Sequence, residues 1–316
     1  MPLEPRLKYL VALATRMERS AVVDEIPVAV GRSKDARRTD LLIGLVVKPG
    51  PKSVTATHHQ IPVEGGSIVL RLYRAGPGRL PLHVHIHGGG WVTGNLEMGD
   101  RRCRALARDA GCVVASVDYR LAPEHQYPGQ GEDCYAALLW LVEHAGELDI
   151  DADRISVGGE SAGGNLAAVV ALMARDRQGP KLVLQVLDIP VTDCTTSHPS
   201  YTRYGTGYLL TAESMRGFVR DYIADPERIT EAYASPLLAE DLSGLPPALV
   251  TTAQFDPLVD EGRAYADRLK EAGVPTTYLE MPGHIHASFM MTRLLASSEA
   301  YYQEVVKAMK AAYQPA

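Results

Sequence analysis

Residues 154–165 read Arg154-Ile-Ser-Val-Gly-Gly-Glu-Ser161-Ala-Gly-Gly-Asn165: a β-branched run breaks into glycines around one serine and restarts as an alanine-rich segment. The pattern predicts a strand, a sharp turn and a helix. Gly159-Glu-Ser161-Ala-Gly163 fits G-x-S-x-G, the nucleophile elbow that lifts a serine hydroxyl clear of a sheet. A chain reversing this tightly leaves no room for a β-carbon at Gly159 or Gly163, so glycine is demanded at both.

Working outward, six apolar runs read as strands: Leu80–Ile86, Cys112–Val117, Arg154–Val157, Leu182–Leu187, Ala248–Thr252 and Thr276–Glu280. Most are separated by helix-length segments, which predicts an α/β fold with a mostly parallel sheet covered on both faces. Ahead of them, two alternating runs between Gln60 and Tyr73 flank Gly65-Gly66 and predict an antiparallel hairpin. Leu3, Leu7, Leu10, Val11 and Ala14 fall at helical spacing, so an amphipathic helix opens the chain over residues 3–20. The basic cluster from Arg32 to Arg38 reads as a solvated helix face.

Catalytic groups in such sheets gather beyond the carboxyl ends of the strands. After Leu80–Ile86 comes His87-Gly-Gly-Gly-Trp91, whose unobstructed amides suit an oxyanion hole. Gly88 and Gly89 are the expected donors, with the N–H of Ala162 as a third. Asp256 ends the run that begins at Ala248, and the Thr276–Glu280 strand leads into Pro282-Gly-His284-Ile-His286-Ala287. A serine nucleophile needs an imidazole base and a carboxylate that fixes its tautomer, here in the order Ser, Asp, His. Spacing alone leaves His284 and His286 both open as the base. Asp260 and Glu261 suit a first helical turn, where acids complement the dipole. His83, His85 and His87 lie on one strand face, but no H-E-x-x-H helix or carboxylate cluster joins them; they read as core or strand-end histidines, with His87 orienting the loop.

The chain has 316 residues, 46% hydrophobic and 22% charged, with a formal net charge of -6. That is ample for one large domain with a small appendage. Mild acidity without a Lys/Arg stripe argues against nucleic acid. The absence of a long apolar run argues against a membrane span, and an N-terminus without an apolar core makes the cytoplasm the expected location. Four scattered cysteines suit reduced core thiols.

Four motifs together, His87–Trp91, Asp118-Tyr-Arg-Leu-Ala-Pro-Glu-His125, Gly159–Gly164 and Asp256-Pro-Leu-Val-Asp-Glu-Gly262, resemble the hormone-sensitive-lipase-like branch of the α/β-hydrolases, the bacterial carboxylesterases. Within it the chain looks most similar to small actinobacterial acyl esterases of the heroin-esterase type. The resemblance covers roughly residues 55–316 and places the base in an Ile/Phe-His-Gly segment, which selects His286. Ala287 replaces the more usual glycine there, and Glu160 stands where many members carry aspartate. The resemblance implies a helical cap formed by residues 1–50 and about 195–230 over a catalytic domain of 51–316, and homodimers are common among its members. It implies serine ester hydrolysis of short- to medium-chain acyl substrates through Ser161, His286 and Asp256, without cofactor or metal. His87, Glu160 and Tyr119 are supporting residues. Amidase or formamidase chemistry on the same fold is the alternative; a ligand receptor, whose triad would be broken, and a metal-dependent hydrolase stand further off.

Overall fold

The computed structural model describes residues 2–18 and 43–314. Its centre is an eight-stranded sheet in the order β1-β2-β4-β3-β5-β6-β7-β8. The strands are β1 (Thr55–Val63), β2 (Gly66–Arg74), β3 (Leu80–Ile86), β4 (Val113–Asp118), β5 (Ile150–Glu160), β6 (Leu182–Asp188), β7 (Ala248–Phe255) and β8 (Thr276–Ile285). β1 and β2 form the predicted hairpin, β2 runs antiparallel to β4, and all remaining pairs are parallel.

Helices α2 (Leu96–Ala110), α3 (Gly129–Glu143), α4 (Ala162–Asp176), α7 (Val259–Glu271) and α8 (Ala296–Ala312) cover the sheet, after α1 (Pro5–Glu18) at the start. α5 (Pro199–Tyr204) and α6 (Ala212–Tyr222) lie in the long connection after β6. α4 is buried from Ala162 to Ala174, which is why its sequence is apolar all round rather than on one stripe. Alternation along β3 splits its side chains between two cores: Leu82, Val84 and Ile86 join the larger cluster with α3 and α4, while His83 and His85 face the side that α2 and α8 cover.

Two strands run further than their apolar cores suggest. β5 starts at Ile150, four residues before Arg154. β8 continues through Pro282-Gly283 because a register shift after Ala253 lets Phe255 pair with Ile285; at the sheet edge a proline removes no needed ladder bond. The opening helix is present, with Leu7 buried and Leu3 and Val11 packed beside Ile285 and Leu295. The cluster Arg32–Arg38 lies outside the described residues. Among the described residues, no helix is long and apolar enough to cross a membrane.

Candidate active site

Ser161 sits between the end of β5 and the start of α4 with φ 58° and ψ −118°, a conformation L-residues adopt only when their surroundings enforce it. Those surroundings are backbone. A β-carbon on Gly159 would come within 2.3 Å of the Ile86 carbonyl and 2.5 Å of the Gly163 carbonyl, and one on Gly163 within 2.1 Å of the Ile86 carbonyl. The two glycines therefore let β3, β5 and α4 close on one another. The turn is pinned by the Ser161 N–H donating to the Asp188 carbonyl at 2.9 Å and by the Val191 N–H donating to the Ser161 carbonyl at 3.2 Å. Asp188 is held in turn by Arg102 at 2.6 Å and by the hydroxyl of Tyr301.

His286 follows β8 and Asp256 follows β7, so adjacent parallel strands deliver both to the same end of the sheet as Ser161. His286 Nδ1 lies 2.7 Å from Asp256 Oδ2 and His286 Nε2 lies 3.0 Å from Ser161 Oγ. Asp256 is 1% exposed, and its other oxygen accepts the Leu258 N–H at 2.9 Å. His284, the other candidate, is buried between Ser288 and Ser297, 2.8 Å from each hydroxyl; burial lowers its pKa. Ala287 takes a left-handed conformation (φ 62°), which gives a backbone reason for glycine at this position in similar proteins.

A second serine–histidine contact, His83 Nδ1 to Ser156 Oγ at 2.8 Å, lies inside the molecule with both residues at most 2% exposed. The Tyr313 hydroxyl seals it, and burial pushes the His83 pKa down to about 3. It is a core hydrogen bond, with no approach for a substrate. His85 is likewise buried and lies 3.5 Å from Glu160. Among the described residues, no group of three or more His, Cys, Asp or Glu side chains could hold a metal ion.

The glycine loop after β3 folds over the elbow. The His87 ring stacks on Tyr119 at 4.3 Å, the Tyr119 hydroxyl donates to the His87 carbonyl at 3.0 Å, and His87 Nδ1 contacts the Gly88 carbonyl at 2.8 Å. Burial pushes the His87 pKa down to about 4, so the ring is neutral near pH 7. The Gly88 N–H, one of the expected oxyanion donors, donates to Glu160 Oε1 at 3.1 Å. The N–H groups of Gly89, Gly90 and Ala162 have no acceptor among the described residues. Three consecutive glycines look alike in sequence; the reach of Glu160 is what sets Gly88 apart from Gly89 and Gly90. Asp260 and Glu261 do occupy the first turn of α7, but Glu261 is wholly buried and accepts the Thr192 N–H at 2.9 Å, bracing the loop after β6 rather than simply facing the helix dipole.

A family model for the alpha/beta hydrolase fold matches residues 83–290. The carboxylic ester hydrolase LipN of Mycobacterium tuberculosis is 44% identical over 271 residues, covering 83% of this chain and 72% of that protein. An arylesterase of Saccharolobus solfataricus is 45% identical over 207 residues, 65% of this chain and 67% of that one. A hyperthermophilic esterase from the archaeon Pyrobaculum calidifontis superposes with a TM-score of 0.88 at 39% identity, covering 98% of this chain and 99% of the other. These relatives support the branch and not the narrower heroin-esterase type. With 208 consecutive residues matched by the family model and esterases as its relatives in sequence and structure, the chain belongs to the α/β-hydrolase family, in its hormone-sensitive-lipase-like branch of carboxylic ester hydrolases.

Proposed function

We propose that Ser161, His286 and Asp256 carry out serine carboxylesterase chemistry on short- to medium-chain acyl esters. The observation that carries the reading is the unbroken line from Asp256 Oδ2 through both nitrogens of His286 to Ser161 Oγ. Ser161 Oγ attacks the ester carbonyl while His286 Nε2 takes its proton, and Asp256 holds the other nitrogen as N–H and stabilises the imidazolium. The oxyanion that forms is met by the N–H groups of Gly89, Gly90 and Ala162, the last with the positive end of α4 behind it. Collapse breaks the ester C–O bond, and His286 returns the proton to the departing alcohol. Water, deprotonated by His286, then attacks the acyl-enzyme and releases the acid and Ser161.

The cap belongs to the same proposal: residues 1–50 and about 195–230 cover a catalytic domain of 51–316. α1 supports it by packing against the end of β8, where the Glu4 N–H donates to the Gly283 carbonyl at 3.0 Å. α6 supports it with Tyr222 stacked on Trp91 at 4.2 Å and the Phe218 ring against Gly90, where an added methyl would come within 2.4 Å. An aromatic ring seated on the glycine loop supports a confined acyl site, which favours shorter acyl groups. A cytoplasmic setting fits four buried, unbridged cysteines, and a homodimer rests on the resemblance alone.

The test is hydrolysis of p-nitrophenyl esters from acetate to palmitate, with and without chelator, by wild type and Ser161→Ala. Expected are a preference for short chains, indifference to the chelator, and a loss of roughly 10⁴ to 10⁶ in kcat on substitution. Retention of most activity by Ser161→Ala would refute the assignment.

A further inference from the structure

We propose that Glu160 is a positioning residue for catalysis: its ionised carboxylate is the strut that fixes the oxyanion loop at working distance from the nucleophile. This deepens the serine-esterase reading and rests on it. Glu160 is covalently next to Ser161, and its Oε1 accepts the N–H of Gly88, the residue immediately before the loop donors Gly89 and Gly90. One side chain thus ties the nucleophile to the donors, elements 72 residues apart in sequence. The strut is stiff, since Glu160 is 7% exposed and a β-carbon on Gly88 would come within 2.8 Å of the Glu160 carbonyl. The second carboxylate oxygen faces His85 Nε2 at 3.5 Å, and neither atom has a hydrogen-bond partner among the described residues. Length matters as well as charge: on this backbone, which is set for glutamate, an aspartate is one methylene shorter and its acceptor falls short of Gly88.

The charged and titratable groups around Glu160 are His85 on β3, Arg102 and Cys103 on α2, Tyr119 after β4 and Asp188 at the end of β6. Burial holds His85 neutral and raises Cys103 and Tyr119, while Arg102 is paired with Asp188. Glu160 is therefore the member of the cluster that changes charge near neutrality, burial having pushed it up to about 7. A charge-assisted N–H···O⁻ bond is roughly twice as strong as a neutral one, so protonation loosens the tie to Gly88.

The experiment measures kcat and KM for p-nitrophenyl butyrate, and inhibition by an aryl trifluoromethyl ketone that adds Ser161 to give an oxyanion, for wild type, Glu160→Asp, Glu160→Gln and Ser161→Ala across pH. Glu160→Asp is expected to lower kcat by roughly 10²-fold, the size of effect seen when an oxyanion donor is lost. KM should stay near wild type, and ketone affinity should fall in parallel with kcat. In wild type the acid limb of log kcat should be steeper than in Glu160→Gln, which lacks the titrating carboxylate. If Glu160→Asp does not fold, the Glu160→Gln profile decides alone. Variants with kcat and ketone affinity within about twofold of wild type, or a Glu160→Gln acid limb identical to wild type, overturn the strut. An inactive Ser161→Ala beside such variants leaves the esterase reading intact; an active Ser161→Ala removes that reading itself.

Discussion

Replacing Asp256 by asparagine changes one atom and reverses the logic of the site. In the native arrangement Asp256 Oδ1 accepts the Leu258 N–H at 2.9 Å and Oδ2 faces His286 Nδ1 at 2.7 Å. Asparagine can keep its oxygen on Leu258, because that donor is a fixed backbone amide, and its NH2 group then points at Nδ1. Two donors cannot share that contact, so the ring moves its proton to Nε2, the nitrogen 3.0 Å from Ser161 Oγ. His286 would then donate to the nucleophile instead of accepting from it, and the imidazolium would lose its counter-charge. An enforced wrong tautomer of this kind lowers kcat by about 10⁴ in a serine protease triad, equivalent to about 5 kcal/mol of barrier. The swap is isosteric and leaves no buried charge, so the thermal midpoint should move by only a few degrees. The assay is burst and steady-state hydrolysis of p-nitrophenyl butyrate, with the midpoint as a control for folding. A variant whose kcat stays within tenfold of wild type while the fold is intact would show that Asp256 does not set the tautomer.

His286→Ala should abolish turnover to the level of Ser161→Ala, whereas His284→Ala should keep kcat within about tenfold and lose roughly 1–3 kcal/mol of stability in denaturant melts, because two buried hydroxyls lose their partner; the reverse ranking would mean that the wrong imidazole is the base. Ala287→Gly relieves a left-handed alanine, worth roughly 1–2 kcal/mol, against a larger unfolded-state entropy. The unfolding free energy from urea melts should therefore rise by roughly 0.5–1 kcal/mol, and an unchanged or lower value would show that the turn stores no strain. Glu160 predicts a pH signature in stability: its pKa is raised from 4.5 in the unfolded chain to about 7. The folded state therefore binds more protons across that window, and stability falls as pH rises through it, by at most about 3 kcal/mol. Thermal melts of wild type and Glu160→Gln at acid and neutral pH should diverge by that sign; parallel curves would show that Glu160 ionises normally.

Much of this molecule could be read from the chain because local rules decided it. β3 occupies Leu80–Ile86 as its apolar run predicts, and Gly159 and Gly163 are glycine for the steric reason the turn suggests, now visible as contacts with the Ile86 carbonyl. The order Ser161, Asp256, His286 follows from strand ends in a parallel sheet, a topological rule that needs no side-chain detail. What stayed hidden depends on partners distant in sequence. Spacing within Pro282–Ala287 does not distinguish its two histidines, and only the resemblance favours His286; the physical choice rests on which ring the carboxylate 30 residues earlier can reach. Nothing in Gly88–Gly90 says which amide is engaged, because the acceptor, Glu160, arrives at the end of the neighbouring strand β5, 72 residues later in sequence. The same holds for Glu261, whose position in a first helical turn suggests a partner for the helix dipole while the fold buries it against the loop after β6. In each case the residue type was informative and the pairing was not. A buried carboxylate is costly unless its oxygens find donors, so each of these acids must be matched to specific amides. In both Glu160 and Glu261 the matched amide belongs to a loop beside Ser161: Gly88 opens the glycine loop, and Thr192 follows Val191, whose N–H meets the Ser161 carbonyl. The acids that local sequence could not place are the ones that hold the site together, because only long-range contacts can fix loops drawn from different strands into one geometry.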